Sequence, residues 1–350
     1  MNIAIDVSPI QTGHKARGIG VYTKELVEAL QTYGKKHTFQ LVQQGQDIPT
    51  DADIIHYPYF DPFLQTLPIV KPKPTIVTVH DLIPLVFPDK FPKGVRGTVT
   101  WQIQKTSLKG CRRIITDSQN SKKDIHKIIG FDLNKIDVIP LAPSPIFRPI
   151  KDTSVLLSVR KKYYLPKDYF LYVGDVNWNK NILGLLKAFA KAVHGKTPQI
   201  SLVLVGSAFL HRDLKEVIEI NRLIETLGIH DAIVRPGFVP EEDLVSIYTM
   251  ATCLVQPSWY EGFGFPVLEA MASGCPVITS DSSSLSEIAG PAFCVKPNDI
   301  EGIAYAMHDM LRTSREQRKK NIQSGLTWSS QFSWQRVARE TIQSYERVVS

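Results

Sequence analysis

The sequence predicts an α/β protein of two doubly wound, Rossmann-like domains facing a cleft. Three observations carry the prediction. Short strand-like apolar runs alternate with helix-period runs, and they do so in two separate series. Between the series stands Pro140-Leu141-Ala142-Pro143-Ser144-Pro145-Ile146-Phe147-Arg148-Pro149, where four prolines in ten residues forbid a continuing helix or central strand. And a chain of 350 residues exceeds what one hydrophobic core usually holds.

In chain order, the first series places strands at 2–7, 39–43, 53–57, 75–80, 113–116 and 135–139. Helical patterns fall at 19–33, 95–109 and 118–129, with Ser118 positioned to cap the last. Such alternation implies a parallel sheet with right-handed crossovers. The second series has strands at 169–173, 201–205, 232–235, 252–256, 276–279 and 292–295. Its helices fall at 181–193, 213–226, 240–250, 266–273 and 299–312. The division is therefore 1–148 and 149–331, with a helical segment at 332–350. In such domains a ligand belongs at the carboxyl ends of the strands.

Composition excludes several classes. Hydrophobic residues make up 43% and charged residues 21%, as in an ordinary soluble globular protein. Cys111, Cys253, Cys275 and Cys294 form no C-x-x-C pair, and three lie in apolar, strand-like contexts that suggest buried thiols. Nothing demands an oxidising compartment. The start, Met1 to Val7, lacks the basic and long apolar regions of a signal peptide, and no apolar run nears the ~20 residues of a membrane span. The expected location is the cytoplasm.

The net charge of +7 is uneven. Lys90, Lys93, Arg96, Lys105, Lys109, Arg112, Arg113, Lys122, Lys123 and Lys127 face only Asp117 and Asp124 within their stretch. Phe91, Val95, Val99 and Trp101 interleave with them. Two readings stay open: a solvated helix face, or a stripe that meets an anionic membrane surface or a phosphate-bearing acceptor. No nucleic-acid motif accompanies the charge, so nucleic acid is not expected as a partner. Asp51-Ala52-Asp53 precedes a strand and reads as a turn, and no cluster has metal-ligand spacing.

The richest segment is Tyr260-Glu261-Gly262-Phe263-Gly264-Phe265-Pro266-Val267-Leu268-Glu269. It joins a strand-like run to a helix-like one. Glycines there let the backbone approach an anion, and a helix start offers its free N–H groups. Glu261 in the turn and Glu269 on the helix border the same place, and carboxylates accept sugar hydroxyls well. Lys180 stands at another helix start, where a cation gains nothing from the helix dipole; a lysine there invites an anionic ligand. His80 ends a strand on the ligand side, and His56, ending the preceding strand, faces the same way and is placed on the acceptor side.

These motifs resemble the donor-site signature of the retaining glycosyltransferases of family 4, which have the two-domain GT-B fold. The resemblance covers nearly the whole chain, with its motifs in order. It implies a nucleotide-diphosphate sugar as co-substrate and no other cofactor or metal. Lys180, Gly18 and the Gly262, Phe263, Gly264 and Phe265 amides would hold the diphosphate, and Glu269 the ribose. Glu261 would orient sugar hydroxyls and His80 would touch the sugar. Phe238 and Val239 would hold the base through their backbone, and Ser207, after Gly206, would approach the nucleotide. The segment 332–350 would cross back to the first domain.

Many relatives carry an arginine after the glycine where this chain has Asp175, which leaves phosphate neutralisation to Lys180 and backbone amides. That departure resembles bacterial polysaccharide mannosyltransferases. It implies GDP-mannose as donor, and a glycan or lipid-linked oligosaccharide acceptor in lipopolysaccharide or other surface polysaccharide biosynthesis. It also implies an enzyme peripheral at the inner face of the membrane. No residue is an obvious covalent nucleophile, so the expected mechanism is front-face attack by the acceptor. The alternatives are a nucleotide-sugar epimerase of the same fold and a non-catalytic protein that binds sugar or nucleic acid; the intact glutamate pair and Lys180 argue against the latter.

Overall fold

A computed structural model describes residues 1–11, 18–43, 45–193 and 200–349. The chain forms two compact units: Met1–Ala142 with Phe332–Ser350, and Pro143–Gln331.

The first unit holds β1 (Asn2–Asp6), β2 (Thr38–Val42), β3 (Ile54–Tyr57), β4 (Thr75–Thr78), β5 (Arg113–Thr116) and β6 (Ile136–Val138). They make one parallel sheet in the order β2-β1-β3-β4-β5-β6. The central strand β4 is buried along its whole length, while the edge strand β2 is mostly not. That is why β4 reads as a continuous run with no polar face. The helix Gln119–Ile129 starts as its sequence dictates: Ser118 Oγ accepts from Ser121 N at 3.0 Å, and Gly130 ends the helix in the left-handed conformation.

The C-terminal helix Trp334–Val349 belongs to this first unit. It packs along the helix Gly18–Tyr33 and reaches β3 and β5. Polar contacts fix its register. Ser344 Oγ and Arg347 Nη1 each donate to Asp137 at 2.7 Å, and Arg113 binds the same carboxylate through two bonds of 2.7 Å.

The second unit holds β7 (Tyr169–Val173), β8 (Ser201–Val205), β9 (Ile233–Gly237), β10 (Cys253–Gln256), β11 (Val277–Ser280) and β12 (Phe293–Val295). Its sheet is also parallel throughout, in the order β12-β11-β10-β7-β8-β9. Its core packs the apolar face of the helix Ile182–Val193, with Leu185, Leu186 and Phe189, against Phe170, Leu202 and Leu204 of the sheet. Burial at roughly 25 cal/mol per Å² makes such a face the main stabilising term.

Two helices longer than a single turn were not expected from the sequence. Thr153–Lys162 follows the prolines directly, capped by Asp152 Oδ1 on Ser154 N, and Arg315–Ser329 is capped by Ser314. Both are too polar to show a clear apolar stripe.

Candidate active site

In the second unit the chain lays down β7, β8 and β9 in one direction, then places β10 on the other side of β7. A doubly wound sheet opens a crevice outside the carboxyl ends of the strands where its order reverses. Those strands are β7 and β10, and the loops that follow them carry Lys180 and Glu261.

The two loops are tied together. Asn179 accepts from Trp259 N at 2.8 Å through its carbonyl and donates from Nδ2 to Tyr260 O at 2.9 Å. Asn181 takes a left-handed φ of 57°, which a short amide side chain tolerates, and its Nδ2 donates to Pro257 O and Pro297 O at 2.9 and 2.7 Å. The Trp178 and Trp259 rings stack with centroids 6.2 Å apart and 7° between planes.

This clamp places Lys180 Nζ 2.6 Å from Glu261 Oε2. The other carboxylate oxygen accepts from Ser258 Oγ at 2.8 Å and Gln256 Nε2 at 3.3 Å. Glu261 N donates to Ser283 Oγ at 2.9 Å, and Ser284 Oγ donates to the Glu261 and Phe263 carbonyls, both at 2.9 Å. Glu261 is buried, and a buried carboxylate is tolerated only when paired in this way.

Gly262, Phe263 and Gly264 lie buried between Glu261 and the helix Phe265–Ala272. Gly264 has φ 109°, and a Cβ there would meet Leu285 at 2.5 Å, so the turn requires glycine. No side chain caps the helix, and the Phe263 and Phe265 rings meet edge to face at 5.4 Å. Glu269 follows one turn later, partly buried, with Oε2 accepting from Tyr248 Oη at 2.9 Å. Burial pushes its carboxyl up to about 7; the Tyr248 hydroxyl opposes the rise and Glu241 adds to it.

At the end of β8, Gly206 comes so close to Gly174 that a Cβ there would collide with the Gly174 carbonyl oxygen. Ser207 opens the short turn that follows and is exposed. After β9, Phe238 is exposed and the Val239 side chain is buried, which leaves Val239 only its backbone for a ligand.

In the first unit, His80 follows β4. Its Nδ1 lies 2.7 Å from Asp117 Oδ2 and its Nε2 3.2 Å from Pro58 O. His56 corrects the sequence reading. It is fully buried, with Nδ1 2.7 Å from Tyr345 Oη and Nε2 2.9 Å from Thr78 Oγ1. The returning C-terminal helix covers it, so it ties that helix to the sheet and lines no acceptor surface. Gly18 opens the helix Gly18–Tyr33 and is exposed; the residues just before it, Ala16 and Arg17, lie outside the described residues.

The basic stripe is also partly redrawn. Trp101 is core, packed with Phe60, Leu67 and Leu108. Arg113 is committed to Asp137. What the helix Gly94–Lys109 does expose is Val95, Val99 and Ile103, one turn apart, among Arg96, Lys105 and Lys109. Among the described residues no helix is long and apolar enough to cross a membrane, and no three His, Cys, Asp or Glu side chains gather as a metal site.

Sequence reasoning missed the supporting groups: Tyr248 for Glu269, Gln256 and Ser258 for Glu261, and Asp117 for His80. Only Ser258, three residues before Glu261 in the same loop, offered a local signal.

Two family models match the chain: "Glycosyl transferases group 1" over residues 158–328 and "Glycosyltransferase Family 4" over residues 38–142. The O-antigen chain mannosyltransferase B of Escherichia coli is 32% identical over 274 residues, which span 77% of this chain and 70% of that protein. This chain belongs to glycosyltransferase family 4. The family 4 chain is also 26% identical over 284 residues to the serotype-specific mannosyltransferase WbdA of Escherichia coli. That match takes in 79% of this chain and about a third, 34%, of WbdA. Among solved structures, sucrose-phosphate synthase from Thermosynechococcus elongatus superposes with a TM-score of 0.76 at 21% identity, over 99% of this chain and 98% of that one. The fold is GT-B, and the protein is a glycosyltransferase.

Proposed function

We propose that this glycosyltransferase retains anomeric configuration as it moves mannose from GDP-mannose to a glycan or lipid-linked acceptor during surface polysaccharide synthesis. The observation that carries the reading is the Lys180–Glu261 pair at the reversal point of the second sheet, directly before the uncapped helix Phe265–Ala272. Lys180 and the amides from Gly262 to Phe265 would face the diphosphate, and no metal is needed in this scheme. They act as preorganised charge aimed at the leaving group. Glu269 would take the ribose hydroxyls, with Tyr248 fixing its carboxylate. Glu261 would orient the sugar, and front-face attack by the acceptor needs no covalent intermediate.

The mannosyltransferase relatives support mannose as the transferred sugar. Ser207, Phe238 and Val239 would border the nucleotide, and the family resemblance gives Gly18 and His80 roles toward the same donor. The exposed Val95, Val99 and Ile103, set among cations, support work at an anionic membrane surface, where a lipid-linked acceptor would be met. A thermal-shift panel of GDP and UDP sugars tests the core of the reading, since a ligand of the native state raises the melting temperature. GDP-mannose should shift it most; a panel in which no nucleotide sugar shifts it would defeat the proposal.

A further inference from the structure

The proposed function leaves open what His80 offers a ligand, and the partners of its two ring nitrogens answer that. We propose that Asp117 is the positioning residue of His80, holding the ring as a doubly protonated cation, so that His80 offers the donor an Nε2–H and a positive charge instead of a base. The inference rests on the reading that His80 meets the sugar nucleotide.

Proton counting is the first argument. Pro58 O can only accept, so Nε2 carries a hydrogen. A carboxylate oxygen also accepts, so Nδ1 carries one too. The bonds differ in kind. The 2.7 Å contact to Asp117 is of charge-assisted length, whereas the 3.2 Å contact to Pro58 is long. The long one is the bond that can be exchanged for a ligand oxygen while Asp117 keeps its hold.

The surroundings favour this state. Asp117 is buried at the end of β5, and its Oδ1 has no hydrogen-bond partner among the described residues, so His80 is what balances its charge. The Tyr22 ring packs edge-on against the imidazole, with centroids 4.6 Å apart, and fixes its plane. Other titratable groups nearby leave the pair alone. His56, on the neighbouring strand β3, stays neutral, because burial and the charge of His80 pull its pKa down to about 3. Burial, with the charge of Asp117, keeps the Tyr22 hydroxyl protonated, and burial does the same for Tyr345. Burial lowers the pKa of His80, but Asp117, Asp81 and the Pro58 carbonyl more than offset this and the net shift is upward. Burial also raises Asp117, and its contact with His80 opposes that rise.

The chemistry follows. An imidazolium has no lone pair to take the acceptor's proton. It can donate to an oxygen of the donor and favour negative charge as the bond to the diphosphate breaks.

The test is histidine ¹⁵N NMR on the full chain, with the His80 signals identified by their loss in His80→Gln. At a pH just above the ordinary imidazole value of about 6.5 both ring nitrogens should be protonated, and Asp117→Asn should bring the titration down to or below that value. The alkaline limb of kcat/KM should move with it, a loss of roughly tenfold per unit of displacement at pH above the pKa. Asp117→Glu should restore part of both. A wild-type ring that is neutral at that pH, or a titration unmoved by Asp117→Asn, would overturn the inference. The NMR readout needs no substrate, so it stands or falls apart from the proposed reaction. If Asp117→Asn does not fold, the wild-type titration decides alone.

Discussion

Lys180 Nζ and Glu261 Oε2 lie 2.6 Å apart, although they are 81 residues apart in sequence and sit on loops after different strands. The pair joins the lysine of the proposed phosphate site to the acid of the proposed sugar site. Its charges are partly shielded from water, with side-chain exposures of 20% and 7%.

Lys180→Ala should therefore do two things. Nucleotide-diphosphate affinity should fall by about 1.5–3 kcal/mol, the worth of a charge-assisted contact. The melting temperature should fall as well, because Glu261 is left buried with no cation. Isothermal titration with GDP and a thermal melt check both effects; wild-type affinity in a folded Lys180→Ala protein would remove Lys180 from the phosphate site.

Glu261→Gln keeps the shape of the carboxylate and most of its hydrogen bonds but removes its charge. Donor binding should change little and kcat should fall about tenfold or more, equivalent to roughly 1.4 kcal/mol or more of the barrier. Glu269→Ala should show the reverse, a weakened donor with turnover at saturation less affected. Steady-state kinetics separate the two, and unchanged parameters in both variants would sink the donor-site assignment.

Much of this was legible in sequence. The strands appeared because parallel central strands, buried on both faces, read as unbroken apolar runs; β7, for example, is Tyr169–Val173 in both accounts. Ser118 was legible as a cap because its chemistry is local. What stayed hidden was whatever depends on another element crossing over. His56 reads as a strand-end histidine facing a ligand, and only the return of Tyr345, 289 residues later, buries it. Trp101 sits in a basic helix, but the neighbours that bury it, Phe60 and Leu67, come from an earlier loop. The partners Asp117 and Tyr248 were invisible for the same reason.

Glu269 predicts a pH dependence. Its carboxyl is raised from 4.5 to about 7 in the native protein, so the folded state binds a proton more tightly than the unfolded state. Its contribution to stability is present below about 4.5 and is lost as pH rises towards about 7. Glu269→Gln should flatten that slope. Ribose hydroxyls favour the ionised carboxylate, so affinity for GDP-mannose should rise with pH up to about 7 and then level off. Binding isotherms from about pH 5.5 to about pH 8 check this. An affinity that is flat in wild type, or sloped equally in Glu269→Gln, contradicts it.

Metal independence follows from the scheme in which Lys180 and the amides before Phe265 neutralise the diphosphate. Transfer activity should survive excess EDTA. Complete loss, restored by manganese or magnesium, would show that a metal ion carries part of that charge.

The helix Gly94–Lys109 carries the prediction that the protein binds an anionic membrane. Val95 is 84% exposed and Val99 56%, a wasteful arrangement for a solvated face, and no acid lies on the helix to offset Arg96, Lys105 and Lys109. Basic residues near an anionic surface contribute on the order of 1 kcal/mol each, screened within a Debye length. The protein should co-sediment with anionic vesicles at low salt and be released as salt rises. Replacing Lys90, Lys93, Arg96 and Lys105 by Ser should weaken the electrostatic part. Val95→Ser with Val99→Ser should weaken the part that resists salt, and both sets should leave GDP-mannose binding intact. Trp101 is kept in every variant, because its loss would open the core. If the wild-type protein stays in the supernatant at low salt, this helix is a solvated face and the acceptor is reached in some other way.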